Sequence, residues 1–230
     1  MSSPVEVEVR YKNEAKEVNK VSPMPSSLDK PSLAHARGSI LFREGQLLGG
    51  VYHIRSGRAK ISISSACGKT VILRVAKAGD LLGLHSMMGG WACDSTAEII
   101  EASLVNYIPR DEFLAMLTSK EVNDFVLQEV CRNANDLVQV ARVLLLTDSV
   151  AERLAALLLE WCTDLGEGES EGIRVPNRFT HQEMAEMIGT SRETVSRLMG
   201  AFKKKNAIKV VGDSIVIRQR ESLEIIARRL

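Results

Sequence analysis

The sequence predicts an α+β chain in which a jelly-roll-like β-roll is followed by a long helix and a C-terminal winged helix-turn-helix. Three observations predict it. Between residues 33 and 108, short apolar runs alternate with Gly38, Gly45, Gly57, Gly68 and Gly79, the rhythm of strands and tight turns in a roll or barrel. After Pro109 the strand pattern stops and an apolar stripe with steps of four and three takes over, as on a coiled-coil helix. Beyond Thr180, two short helical patterns flank a glycine and are followed by a hairpin pattern, the outline of a helix-turn-helix with its wing.

Taken in order, residues 1–32 are rich in Lys, Glu, Ser and Pro, with Pro23, Pro25 and Pro31 as breakers. They read as a flexible tail, with one candidate strand at Val5–Val9. The β-roll spans 33–109, with runs at Ile40–Phe42, Val51–Ile54, Ala59–Ile63, Thr70–Leu73 and Leu104–Ile108. A helix over 110–147 carries Val126, Val130, Asn133, Leu137, Val140 and Leu144 as its stripe. The stripe suits a twofold seam, where a buried Asn can fix register, although packing on the chain's own β-roll would also cover it. A second helix starts near Asp148, the run Gly166–Gly172 reads as an acidic loop, and 148–230 forms the last domain.

Composition narrows the function classes. With 45% hydrophobic and 26% charged residues and a net charge of +1, the chain is an ordinary globular one, long enough to bury a core without disulfides. Cys67, Cys93, Cys131 and Cys162 are scattered, so neither a zinc cluster nor a disulfide framework is expected. His35, His53 and His85 lack the H-x-H spacing of a cupin-like metalloenzyme, the enzyme alternative. Neither a bilayer-length apolar run nor a signal-peptide pattern is present, which predicts a cytoplasmic protein without a membrane partner. Charge is nonetheless uneven, with ten Lys/Arg against four Asp/Glu between Arg174 and Arg220. Such a local basic footprint suits double-stranded DNA.

The chemistry sits in Thr180–Met199. Thr180 and Glu183 make a capping box, Gly189 permits the turn, Ser191 caps the next helix, and Met184, Ile188, Val195 and Leu198 join the pair. Arg192, Glu193, Ser196 and Arg197 then share one face at the start of the second helix. Arginine can bond O6 and N7 of guanine together, and glutamate can accept from a cytosine amino group. A face of this kind reads base edges. Lys203, Lys204 and Lys205 lead into a wing that turns at Gly212-Asp213.

Together with Gly79-Asp80-Leu81-Leu82-Gly83, the motif Arg192-Glu193-Thr194-Val195-Ser196-Arg197 resembles the CRP/FNR superfamily of bacterial transcription regulators, from about residue 33 to 230. The resemblance implies a non-enzymatic homodimer with a cyclic-nucleotide-binding-like β-roll, which reads a palindromic TGTGA-like operator and answers to a small-molecule effector. It also implies RNA polymerase as a partner. It places His181, Gln182, Ser191 and Thr194 at DNA phosphates, with His181 where the cAMP branch has arginine. The effector pocket implied in this way comprises Gly83, Leu84, His85, Asp94, Ser95, Asn133, Leu137 and Val138. Counted without gaps from Gly83, Leu84 and Asp94 stand where nucleotide-binding relatives have the glutamate and arginine that hold ribose and phosphate, and Leu137 and Val138 stand where hydroxyls meet adenine. An aspartate repels a phosphate, so no cofactor is predicted and cAMP is not the expected ligand. Leu84-His85-Ser86 is similar to the heme-histidine stretch of carbon monoxide sensors. Gly83 and Ser2 replace the other heme ligands, which leaves heme, or thiol sensing through Cys93, as the alternative.

Overall fold

The computed structural model describes Pro25, Leu28 and residues 31–169, 172–176 and 178–227; most of the N-terminal tail, including the candidate strand at 5–9, lies outside the described residues. Strands β1 (Leu33–His35), β2 (Ile40–Phe42), β3 (Gly50–Ser64), β4 (Thr70–Lys77), β5 (Leu81–Leu82) and β6 (Thr96–Pro109) form one sheet of order β1-β6-β3-β4, with β2 on β6 and β5 on β3. Helix α1 (Leu84–Gly89) precedes β6, and α2 (Arg110–Met116), α3 (Lys120–Leu146) and α4 (Val150–Leu165) follow it. A second sheet orders β7 (Glu167–Glu169), β8 (Gly172–Pro176), β10 (Ser214–Ile217) and β9 (Ile208–Val211) as β7-β8-β10-β9. Helices α5 (His181–Met187) and α6 (Arg192–Lys204) precede β9, and α7 (Arg220–Ala227) follows β10.

The described residues fall into two compact units, one of residues up to 59 with 76–93 and 99–133, the other of 60–75, 94–98 and 134 onward. In the first, Val51, Leu81, Leu84, Met87, Ile108, Phe113, Val122, Phe125 and Val126 share a core with Leu28. Each fully buried side chain of this size contributes about 1.5–3 kcal/mol. Among these apolar groups lies a charged knot. Glu129, fully buried, accepts from the Leu81 N–H at 3.3 Å and pairs with Arg132, whose guanidinium also reaches Asp80 at 3.0 Å. Asp80 accepts from the Lys77 N–H at 3.0 Å as well, so the aspartate of the Gly79–Gly83 motif anchors a turn and a helix. His53, also buried, bonds Asn106 through Nδ1 at 3.0 Å, and burial, outweighing Asn106 and Asp80, pulls its pKa below the usual histidine value.

Several expectations need correction. Gly57 lies inside the 15-residue β3, where φ of 85° and the closeness of Ser103 and Ala102 admit no Cβ; a glycine that only punctuates a sequence can still be paired. Helix α2 stops at Met116, so the helical stretch after Pro109 is broken before α3. The acidic run from Gly166 is largely strand, with Gly168 opposite Ile173 in the β7–β8 pair. Val126 is buried in this chain's own core, so packing within the chain already covers this member of the stripe. Leu84 is likewise a core residue, 2% exposed.

In the second unit α4 begins with a complete capping box, Ser149 accepting from the Glu152 N–H at 3.2 Å while Glu152 accepts from the Ser149 N–H at 3.3 Å. Trp161 on α4 stacks on Phe179 at 4.9 Å between ring centres, which contributes about 0.5–1.5 kcal/mol beyond area burial. α4 also packs along α7 and β8. Arg153 donates to the Ile188 carbonyl at 2.8 Å, so this frame grips the end of α5.

Candidate nucleic-acid interface

Local chemistry sets both helices of the pair. Thr180 is extended and accepts from the Glu183 N–H at 3.1 Å, while Glu183 accepts from the Thr180 N–H at 2.6 Å; such a cap stabilises a helix start by about 1 kcal/mol. Gly189 turns the chain with φ of 65°, and a Cβ there would meet Leu144 at 3.0 Å. Ser191 then caps α6 by accepting from the Thr194 N–H at 3.3 Å. Met184, Ala185, Ile188, Val195, Met199 and Phe202 are buried between the helices and their frame. Packing on that side leaves the opposite face to water.

On the exposed face stand Arg192, Glu193, Ser196 and Arg197, the four predicted base-contacting residues. The backbone N–H of Glu193 itself, then the Ser191 hydroxyl and the Arg192 charge, hold the Glu193 carboxyl below its usual range, so it stays an ionised acceptor. Of the predicted phosphate contacts, Gln182 and Ser191 are exposed and His181 and Thr194 half-buried. Gln182 donates to Glu186 at 2.9 Å, and Lys60 bridges Glu186 at 3.6 Å and Glu98 at 3.2 Å. His181 Nδ1 lies 2.8 Å from the Ser196 hydroxyl. Burial, followed by the charges of Lys203 and Arg192, pulls the His181 pKa down.

Sequence reasoning missed a basic cleft beside this face. Lys203, Asn206, Ile208, Lys209, Val210 and Arg218 line a volume of about 300 Å³ between the end of α6 and the wing. Asn206 takes φ of 56° and accepts from Arg218 at 2.8 Å. The excess of Lys/Arg after Arg174 is its trace in the sequence, but only the hairpin pairing of Lys209 with Val216 shows which cations share a wall. Cations without a base-reading geometry suit phosphates.

The residues predicted for an effector pocket divide between the two units. In the first, Gly83 caps α1 in the left-handed region, Leu84 is buried, and His85 is exposed with Nε2 3.4 Å from the Ser86 hydroxyl. The Asn133 Oδ1 is buried there without a hydrogen-bond partner among the described residues. In the second, Asp94 is exposed, Ser95 buried, and Leu137 and Val138 are exposed on α3. Leu84 is a buried hydrocarbon with no polar group to offer a ligand, and Asp94 is an exposed carboxylate, which repels anions. Of the predicted seam, Val130 and Leu137 are 43% and 48% exposed, and Asn133, Val140 and Leu144 are half-buried. Leu127, Val138, Leu145 and Leu146 add further exposed apolar surface to α3.

Comparison with known proteins bears on most of the chain. A model of the Crp-like helix-turn-helix domain matches residues 152–226, and a model of the cyclic nucleotide-binding domain matches 33–120. A third, described as Antitoxin TacA 1-like, matches the helical residues 114–163. The chain is 30% identical to the fumarate and nitrate reduction regulatory protein of Yersinia pestis over 83% of its own length and 76% of that protein's. It is 28% identical to a CRP-like cAMP-activated global transcriptional regulator of Mycobacterium tuberculosis, covering 84% of this chain and 86% of the relative. Its fold matches the structure of FixK2 from Bradyrhizobium japonicum with a TM-score of 0.73 at 20% identity, over 86% of this chain and 98% of that one.

Proposed function

Because this chain belongs to the CRP/FNR family of transcription regulators, we propose that two copies bind a near-palindromic operator with TGTGA-like half-sites, one α6 in each major groove. The exposed Arg192, Glu193, Ser196 and Arg197 carry this reading, since a face with two guanidinia and an ionised carboxylate matches guanine and cytosine edges. His181, Gln182, Ser191 and Thr194 hold adjoining phosphates. Bound in the cytoplasm to its operator, the dimer acts on transcription through RNA polymerase, under an effector that alters how the two reading helices are presented.

The second copy is argued from α3. Val130, Leu137 and Val138 leave apolar surface on a 27-residue helix, and a twofold partner covers such a stripe. Light scattering at micromolar concentration, paired with titration of a labelled duplex at moderate salt, tests this. Wild type is expected to run as a dimer that binds duplex, and Leu137→Asp as a monomer with weakened binding. A stable wild-type monomer with full DNA affinity contradicts the proposal.

The effector is proposed to be something other than a cyclic nucleotide, in contrast to the M. tuberculosis relative. Leu84 and Asp94 support this reading. Calorimetry with cAMP and cGMP at physiological concentration is expected to show no binding heat. A micromolar dissociation constant for either nucleotide contradicts it. Heme at His85 is the second reading, because that imidazole is exposed on α1, and the absorption spectrum of protein purified from its own host decides it.

A further inference from the structure

We propose that His181 sets the hydrogen-bonding polarity of Ser196, so that Ser196 selects a base that offers an amino group at its major-groove edge. The proposal rests on the reading of α6 as the base-contacting helix. Its basis is a short link between the two helices' polar faces, His181 Nδ1 to Ser196 Oγ at 2.8 Å, from the first residue of α5 to an exposed position on α6.

A serine hydroxyl has one proton and two lone pairs, and a neutral imidazole has one donor nitrogen and one acceptor. The partner of the hydroxyl therefore decides what it can show to DNA. If His181 donates through Nε2 to a phosphate, as its place beside Gln182 allows, the neutral ring keeps its lone pair on Nδ1. The Ser196 proton is then committed to Nδ1, and the oxygen meets the base with lone pairs alone. It accepts from N6 of adenine or N4 of cytosine, and does not suit O6 of guanine or O4 of thymine. If the ring is doubly protonated, Nδ1–H donates to Oγ, the hydroxyl proton turns outward beside one remaining lone pair, and the preference for an amino group is lost. In the free protein the charged groups that bear on the ring are Arg192 and Lys203, both on α6 and both cationic, and on DNA the phosphate at Nε2 adds a negative charge that favours the imidazolium. Burial and the two cations favour the neutral ring and oppose the phosphate.

His181 is thus a positioning residue, a phosphate contact that also fixes a base preference one helix away. Arginine at this position has no acceptor and leaves the Ser196 proton uncommitted, so that the hydroxyl can donate or accept. The preference at one base pair then depends on a residue that never touches the base.

Duplexes that differ by an A-to-G or C-to-T transition, at the position where Ser196→Ala loses selectivity, test the proposal. At about pH 8 wild type is expected to favour the amino-bearing base by roughly two- to tenfold, the range of one net hydrogen bond. His181→Arg is expected to lose that preference while still binding DNA. Between about pH 8 and about pH 5.5, across the usual histidine range, wild-type discrimination is expected to fall while that of His181→Arg stays flat. The proposal is overturned if His181→Arg keeps the wild-type preference, if wild-type discrimination does not move with pH, or if Ser196→Ala changes no position. Those outcomes leave α6 as the reader wherever Arg192 and Arg197 still govern specificity. Loss of all sequence preference in wild type would instead remove the reading on which the proposal stands.

Discussion

Replacing Arg197 with alanine is expected to lower affinity for a TGTGA-like duplex by about 1–3 kcal/mol, roughly five- to 150-fold, and to relax the preference at one base pair. Arg197 is exposed on α6, one position from Ser196 and on the face that carries Arg192 and Glu193. Its planar guanidinium can meet O6 and N7 of a guanine together, whereas a lysine in the last turn of the same helix, away from that N-terminal face, suits a phosphate as a point charge. Lys204, exposed in the last turn of α6, therefore supplies the contrast. Lys204→Ala is expected to weaken binding to all sequences alike and to flatten the slope of log affinity against log salt by about 0.9 for each phosphate that the lysine neutralises. Anisotropy titrations on matched and mismatched duplexes, repeated over a salt series, separate the two behaviours. If Arg197→Ala weakens every duplex equally, Arg197 holds a phosphate and its base assignment is wrong.

Arg132→Met is expected to destabilise the first unit by about 3–5 kcal/mol, a large share of a domain's total stability. Asp80 and Glu129, 4% and 0% exposed, both depend on this guanidinium. Without it the two buried carboxylates lose the guanidinium that joins them. Partial solvent access to Arg132, whose side chain is 19% exposed, places the effect toward the lower end of that range. Urea unfolding followed by tryptophan fluorescence and far-ultraviolet dichroism measures it. Combining Arg132→Met with Asp80→Asn and Glu129→Gln is expected to recover part of the loss, because neutral amides keep acceptors for the Lys77 and Leu81 N–H groups and remove two buried negative charges. A midpoint for Arg132→Met indistinguishable from wild type would show that the knot adds nothing to stability.

What is legible in the sequence is local. Thr180, Glu183, Gly189 and Ser191 act within a few residues of themselves, so the start, turn and restart of the helix pair follow from neighbouring residues alone. Arg192, Glu193, Ser196 and Arg197 share a face by helical period. The charged knot is not legible, because Arg132 and Asp80 stand 52 residues apart and nothing periodic joins them. Gly168 misleads for a related reason: an acidic, glycine-rich run has loop composition, but its partner across the ladder, Ile173, is what makes it strand. Periodicity also names Val126 as one of a stripe without saying what covers it, and Phe125 and Val122 in the same core supply the answer. Spacing along the chain places Leu84 at an effector site, and spacing cannot show that Leu84 is buried.

Selection of bound duplexes from a random pool by the wild-type protein tests the central claim most directly. The account predicts enrichment of two inverted TGTGA-like elements about one helical turn apart, with the guanines that face Arg192 and Arg197 the least variable positions. A pool that enriches no common sequence, or a single unpaired element unrelated to TGTGA, would contradict it.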